Sequence, residues 1–224
     1  MLKKFIVFIL LNISLSAYSA EFYSKTQEIS EELKAKMLNI SYKENCPVKP
    51  NELNYLTLSY IDFNGEQQIG NLIVHKKIAQ KTINIFKKLF AENYPIKSMK
   101  LIFEYNGSDD ASMADNNSSA FNCRAVAGKD NVFSKHSYGI AIDINPIENP
   151  YIKNNVILPP EGKKYLDRTI NHPALIRKGD KIYEAFISEG FIWGGEWNSL
   201  KDYHHFEYKE TNSIKDSEEH VNRN

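Results

Sequence analysis

The sequence predicts an α+β domain. Strand-like and helix-like segments are mixed without the regular β-α alternation of a parallel sheet, a hairpin pattern lies near the front, and a 3.6-period apolar stripe follows it. The 224 residues suit one sizeable domain, and 42% apolar, 25% charged and 12% aromatic content is that of an ordinary globular chain. Lys plus Arg equals Asp plus Glu at 28 each. A phosphate-binding surface leaves a basic excess, so nucleic acid is not an expected partner.

In chain order, "MLKKFIVFILLNISLSAYSA" comes first. Lys3 and Lys4 precede an apolar run from Phe5 to Leu11 that fades into small residues near Ala17 and Ala20. This is the layout of a secretory signal peptide over 1–20, too short in its core to stay as a membrane anchor. Cleavage after Ala20 leaves no stable anchor and predicts export to the periplasm or cell envelope. Without Lys3 and Lys4 the mature chain keeps 26 basic against 28 acidic residues. In an oxidising compartment Cys46 and Cys123 are expected to pair. Such a bridge contributes about 4 kcal/mol in the chain-entropy model.

Residues 21–45 read as a helical lead-in, on the strength of "ISEELKAKMLNI". The main domain spans 46–210. It starts with "LNYLTLSYIDFNGEQQIGNLIVH", where Leu56, Leu58 and Tyr60 alternate with polar residues, Asn64-Gly65 supplies a turn, and an extended run resumes at Leu72. Ile78, Thr82, Ile85, Phe86, Leu89 and Phe90 then mark one face of a helix over 76–92, stopped before Pro95. From about 104 to 137 the chain is rich in Gly, Ser, Asn and Asp and reads as a long polar loop, a kind more often functional than idle. "GIAIDINP" is a short buried strand, 180–189 a helix ended by Gly190, 203–208 a final strand, and 211–224 a polar tail.

The chemistry lies in "SKHSYGIAID", residues 134–143. Gly139 permits a tight turn, so the His136 imidazole and the Asp143 carboxylate can converge. A further histidine from "KDYHHFEY" makes two nitrogens and one oxygen, the three-ligand set of a catalytic zinc site.

"SKHSYGIAID" fits the pattern S-x-H-x-x-G-x-A-x-D and so resembles the zinc D-Ala-D-Ala metallopeptidases, the VanX/VanY-like carboxypeptidases of the superfamily that includes lysostaphin and the hedgehog signalling domain. "WGGEW" followed by "KDYHHFEY" resembles their second signature, an acid three residues before a histidine followed by Phe. "SAFNCR" and "DINPIENPY" extend the likeness over roughly 45–208. The resemblance implies a small antiparallel sheet with surrounding helices and a zinc groove across it. His136, Asp143 and His205 would be the metal ligands, Asp202 the general base, Arg124 the substrate-side arginine that polarises the carbonyl, and Ser134 a residue near the substrate's binding groups. Strand alternation puts Tyr203, His205 and Glu207 on one face and His204, Phe206 and Tyr208 on the other, so His204 reads as a packing or surface residue. Glu207 reads as a carboxylate behind the ligands, and Tyr138, Trp193 and Trp197 read first as core aromatics, with the cleft wall as the second reading.

The function so implied is an exported zinc peptidase acting on peptidoglycan stem peptides, of the D-alanyl-D-alanine carboxypeptidase type. Two alternatives remain open at this level: a stem endopeptidase cutting between L-Ala and D-Glu, and a non-catalytic zinc-containing module that binds cell wall. The intact Asp202 beside a full ligand set speaks against the module. Two imidazoles and a carboxylate suit zinc and also admit other divalent ions.

Overall fold

A computed structural model describes residues 21–126 and 129–209. The signal-like segment 1–20 and the tail 211–224 lie outside the described residues. Among the described residues no helix is long and apolar enough to cross a membrane.

The chain opens with strand β1 (Ser24–Glu28), followed by helix α1 (Glu31–Met37). Ser30 caps α1 by accepting the Leu33 N–H at 3.1 Å. The expected lead-in helix over 21–45 is therefore corrected to a strand and a short helix. "SKTQE" is exposed along its whole length and is held by backbone pairing to the next strand, from Ser24 opposite Leu58 to Glu28 opposite Asn54. With no side chain buried, it carries no apolar period to read.

Strands β2 (Leu53–Ile61) and β3 (Gln67–His75) form the expected hairpin, in register from Leu53 opposite His75 to Ile61 opposite Gln67. The Asp62 carboxylate accepts the N–H groups of Asn64 and Glu66 at 2.8 and 3.0 Å, and Gly65 takes φ +80°, the left-handed turn geometry glycine favours. Helix α2 (Lys76–Ala91) follows at once. It lies on β2 and buries Ile78, Thr82, Ile85, Phe86, Leu89 and Phe90, the full predicted stripe.

The polar stretch after it is folded. It contains a 3-10 turn at Ile102–Tyr105, helix α3 (Asp109–Ala114) and the strand pair β4 (Ala125–Val126) and β5 (Lys129–Phe133). Its amides have structural work: buried Asn117 accepts the Lys100 N–H at 2.8 Å and donates to the Lys100 carbonyl at 3.0 Å. A polar composition here reflects backbone groups satisfied by side chains. The structure joins Cys46 to Cys123, with Cα atoms 5.9 Å apart.

The second half supplies β6 (Ala141–Asp143), β7 (Tyr151–Lys153), β8 (Val156–Leu158), helix α4 (Lys181–Ile187), β9 (Phe191–Trp193), β10 (Lys201–Asp202) and β11 (His205–Tyr208). The strands form small antiparallel sheets in the orders β1-β2-β3, β6-β11-β9, β10-β7-β8 and β4-β5, rather than one continuous sheet. The class is α+β. Phe206 of β11 stacks on Phe186 of α4 at 3.9 Å, which fastens the middle strand of its sheet to the main core.

Candidate active site

Three short elements meet at one end of the β6-β11-β9 sheet. Asp143 ends β6, His205 begins β11, and the two are directly paired across the strands. His136 comes from a 3-10 turn (Lys135–Tyr138) just ahead of β6. Ser134 starts that turn by accepting the His136 N–H at 3.3 Å, and Gly139 ends it at φ +65°. A Cβ at Gly139 would meet the His75 nitrogen at 2.7 Å, so glycine is required both by dihedral and by space.

The donor atoms converge. His136 Nε2 lies 3.1 Å from Asp143 Oδ2 and 3.2 Å from His205 Nδ1, and His205 Nδ1 lies 2.9 Å from Asp143 Oδ1. All three residues are buried. Each imidazole is oriented from behind. His136 Nδ1 faces the Ala120 carbonyl at 2.5 Å, and His205 Nε2 faces Glu207 Oε2 at 3.2 Å. A carbonyl can only accept, as can an ionised carboxylate, so these outer nitrogens carry the protons and the inner ones offer lone pairs. Two lone pairs and a carboxylate aimed at one point fit a divalent cation, and donor separations near 3 Å are of the size a tetrahedral zinc with bonds of about 2.0–2.2 Å requires.

Electrostatics agree with that fit. Burial opposes charge on His205, but Asp143 and Glu207 outweigh it and raise its pKa to about 10. Burial also opposes charge on Asp143, yet the neighbouring His136 and His204 hold its carboxyl well below the usual range. Without a metal the cluster keeps a proton where a cation would sit.

Asp202 stands beside this cluster in β10, paired to Tyr151 of β7. Burial raises its pKa above the ordinary carboxylate value, against the pull of His204 and His205. Its Oδ1 is buried and makes no hydrogen bond among the described residues. His204 Nε2 is 3.0 Å away, within ion-pair distance, but off the line a hydrogen bond needs. Gly194 of "WGGEW" lets Asp202 in: a Cβ there would meet the Asp202 carbonyl oxygen at 2.6 Å and its Cβ at 2.8 Å.

The placement of His204 corrects the strand reading. Residues 203–204 form a turn and the strand starts at His205, so His204 does not join the Phe206 face. It is buried, with Nδ1 on the Asn149 carbonyl at 2.8 Å and Nε2 toward Asp202. His205 and Glu207 do share a face, as alternation requires.

Other sequence candidates separate. The Trp197 ring lies 5.4 Å from the His205 ring, whereas Trp193 is buried in the core and Tyr138 is exposed. Arg124 Nε pairs with Asp109, and its Nη1 donates to the Ala125 carbonyl at 3.4 Å; none of its described contacts is with the histidine cluster. The Ser134 hydroxyl is engaged in the turn. Sequence reasoning missed the carbonyls of Ala120 and Asn149, which have no side-chain signature, and the role of Gly194, whose only trace was the glycine pair in a quoted motif.

Comparison with known proteins bears on the same stretch. Residues 127–208 match the family model described as D-alanyl-D-alanine carboxypeptidase, and this match contains all of the histidine and aspartate cluster. It supports the family suggested by the two signatures, and with it a peptidase. No solved structure matches the chain.

Proposed function

We propose that this chain, whose residues 127–208 match the family model described as D-alanyl-D-alanine carboxypeptidase, is an exported zinc peptidase that removes the terminal D-alanine of peptidoglycan stem peptides. One observation carries the reading: His136 Nε2, His205 Nδ1 and the Asp143 carboxylate converge beside a buried Asp202 oxygen that has no hydrogen bond among the described residues. When bound there, zinc supplies a Lewis acid that polarises a carbonyl and acidifies water. His136, Asp143 and His205 would hold the ion, with the Ala120 carbonyl and Glu207 fixing the two rings.

Asp202 accepts the proton of the attacking water at Oδ1 and delivers it to the leaving amine nitrogen. Its raised pKa makes it a stronger base than an exposed aspartate. Arg124, tethered by Asp109, provides positive charge for the tetrahedral oxyanion. Ser134 borders the substrate, and the Trp197 ring beside His205 forms part of the wall. The signal-like 1–20 segment supports an address in the periplasm or cell envelope, where this substrate is found.

The test is a muropeptide digest by the mature protein, read by mass spectrometry, with a chelator-treated sample and an Asp202→Ala variant alongside. The expected result is loss of one terminal D-alanine by the wild type and a fall of at least about 100-fold in both controls. Products cut inside the stem would transfer the reading to an endopeptidase. Intact muropeptides in every sample would overturn it.

A further inference from the structure

His204 has no place in the ligand set or in the proton transfer described above, yet it is buried among groups that do. Its Nδ1 meets the Asn149 carbonyl at 2.8 Å, so Nδ1 carries a proton and the ring cannot rotate without losing that bond. The opposite edge, Nε2, faces Asp202 Oδ1 at 3.0 Å and Asp143 Oδ2 at 3.9 Å. His204 is the ion-pair partner that the described residues give Asp202. The contact is close without the alignment of a hydrogen bond, so the pinned ring edge limits where the Asp202 carboxylate can sit.

The anchor behind His204 is rigid. Asn149 is fully buried, its side-chain amide donates to the Ala174 carbonyl at 2.9 Å, and its Oδ1 accepts from Ile176 N and Arg168 Nη2 at 2.8 Å each. The Arg168 guanidinium in turn stacks 4.4 Å over the ring of Tyr203, the residue between Asp202 and His204. Asn149 and Arg168, bonded to each other, thus fix the His204 ring and the Tyr203 ring from two loops.

We propose that His204 is a positioning residue: its Nε2 edge, backed by the Asn149 carbonyl, holds the Asp202 carboxylate in the orientation in which it works as base. The proposal rests on the functional reading of Asp202 above. It explains why two adjacent histidines are both buried although one alone belongs to the ligand cluster.

Two substitutions divide the ring into its halves. His204→Gln places an amide nitrogen near the Nε2 position, and His204→Asn places one near Nδ1. Crystal structures of the zinc-loaded wild type and both variants are to be compared with kcat, KM and zinc stoichiometry on muropeptides. The expected result is an unmoved Asp202 and kcat within about threefold of wild type for Gln, against a displaced carboxylate and a kcat loss of about 10- to 100-fold for Asn. KM and zinc stoichiometry stay at the wild-type value in both, which a general loss of folding would not allow. An Asp202 that keeps its place in the Asn variant overturns the proposal whatever the rate. So does a Gln variant as impaired as Asn, or a zinc-loaded wild type with His204 turned away from Asp202. A wild type that leaves muropeptides intact removes the peptidase reading, and the positions of Asp202 in the crystals still decide the role of His204.

Discussion

The site depends on small clearances around single residues. Gly194 is the sharpest case, because the Asp202 main chain occupies the space a Cβ would need. Gly194→Ala pushes on Asp202, the proposed base, and on no residue of the proposed ligand set. It is expected to lower kcat by about 10- to 100-fold while zinc stoichiometry stays at the wild-type value, checked by steady-state kinetics and metal analysis. His205 gives a pH prediction for the metal-free protein. Its folded pKa is raised to about 10 from 6.5. The proton it holds therefore stabilises the fold fully below pH 6.5, and that contribution is lost as pH rises through 10. The melting temperature of the chelated protein should fall between pH 7 and 10, and the zinc-loaded protein should lack that fall. A flat curve for the chelated sample would remove the bound proton from this account. At this scale His136, Asp143, His205 and Asp202 were legible because two motifs fix them by spacing. His204 was not, since strand alternation was extended one residue into a turn.

Among elements, those with their own apolar period could be read and those held by their surroundings could not. Helix α2 shows its whole buried stripe in sequence. Strand β1 shows nothing, because its stability comes from pairing with β2. The polar 104–137 stretch misled for a similar reason: its Asn and Ser side chains bond inward to backbone, as Asn117 does to Lys100. The loop before α4 is held by Arg168, a half-buried residue whose guanidinium donates to the carbonyls of Glu148, Tyr165 and Ile176 as well as to Asn149. Burial lowers its pKa to about 10, still charged at neutral pH. Arg168→Ala removes these donors together and is expected to destabilise the fold by about 2–4 kcal/mol. Urea denaturation measures this directly. A midpoint unchanged from wild type would show that the loop is held by other contacts.

On the scale of the molecule, the α+β class was legible from the mixture of patterns, and the division into several small sheets was not, since register and sheet order depend on pairings between distant residues. The disulfide connects α1's side of the chain to the 117–123 segment, which supplies the Ala120 carbonyl behind His136. Ligand orientation is thus shared between the two halves of the described chain. The order of strands in the site sheet adds a consequence in time. β11 lies between β6 and β9, and both neighbours precede it in the sequence. During synthesis neither has a central partner until residues 205–208 have left the ribosome. The sheet and the histidine-aspartate cluster are completed by the same four residues, so a nascent chain holds this site unassembled until they emerge, and this sheet and the site close in one step.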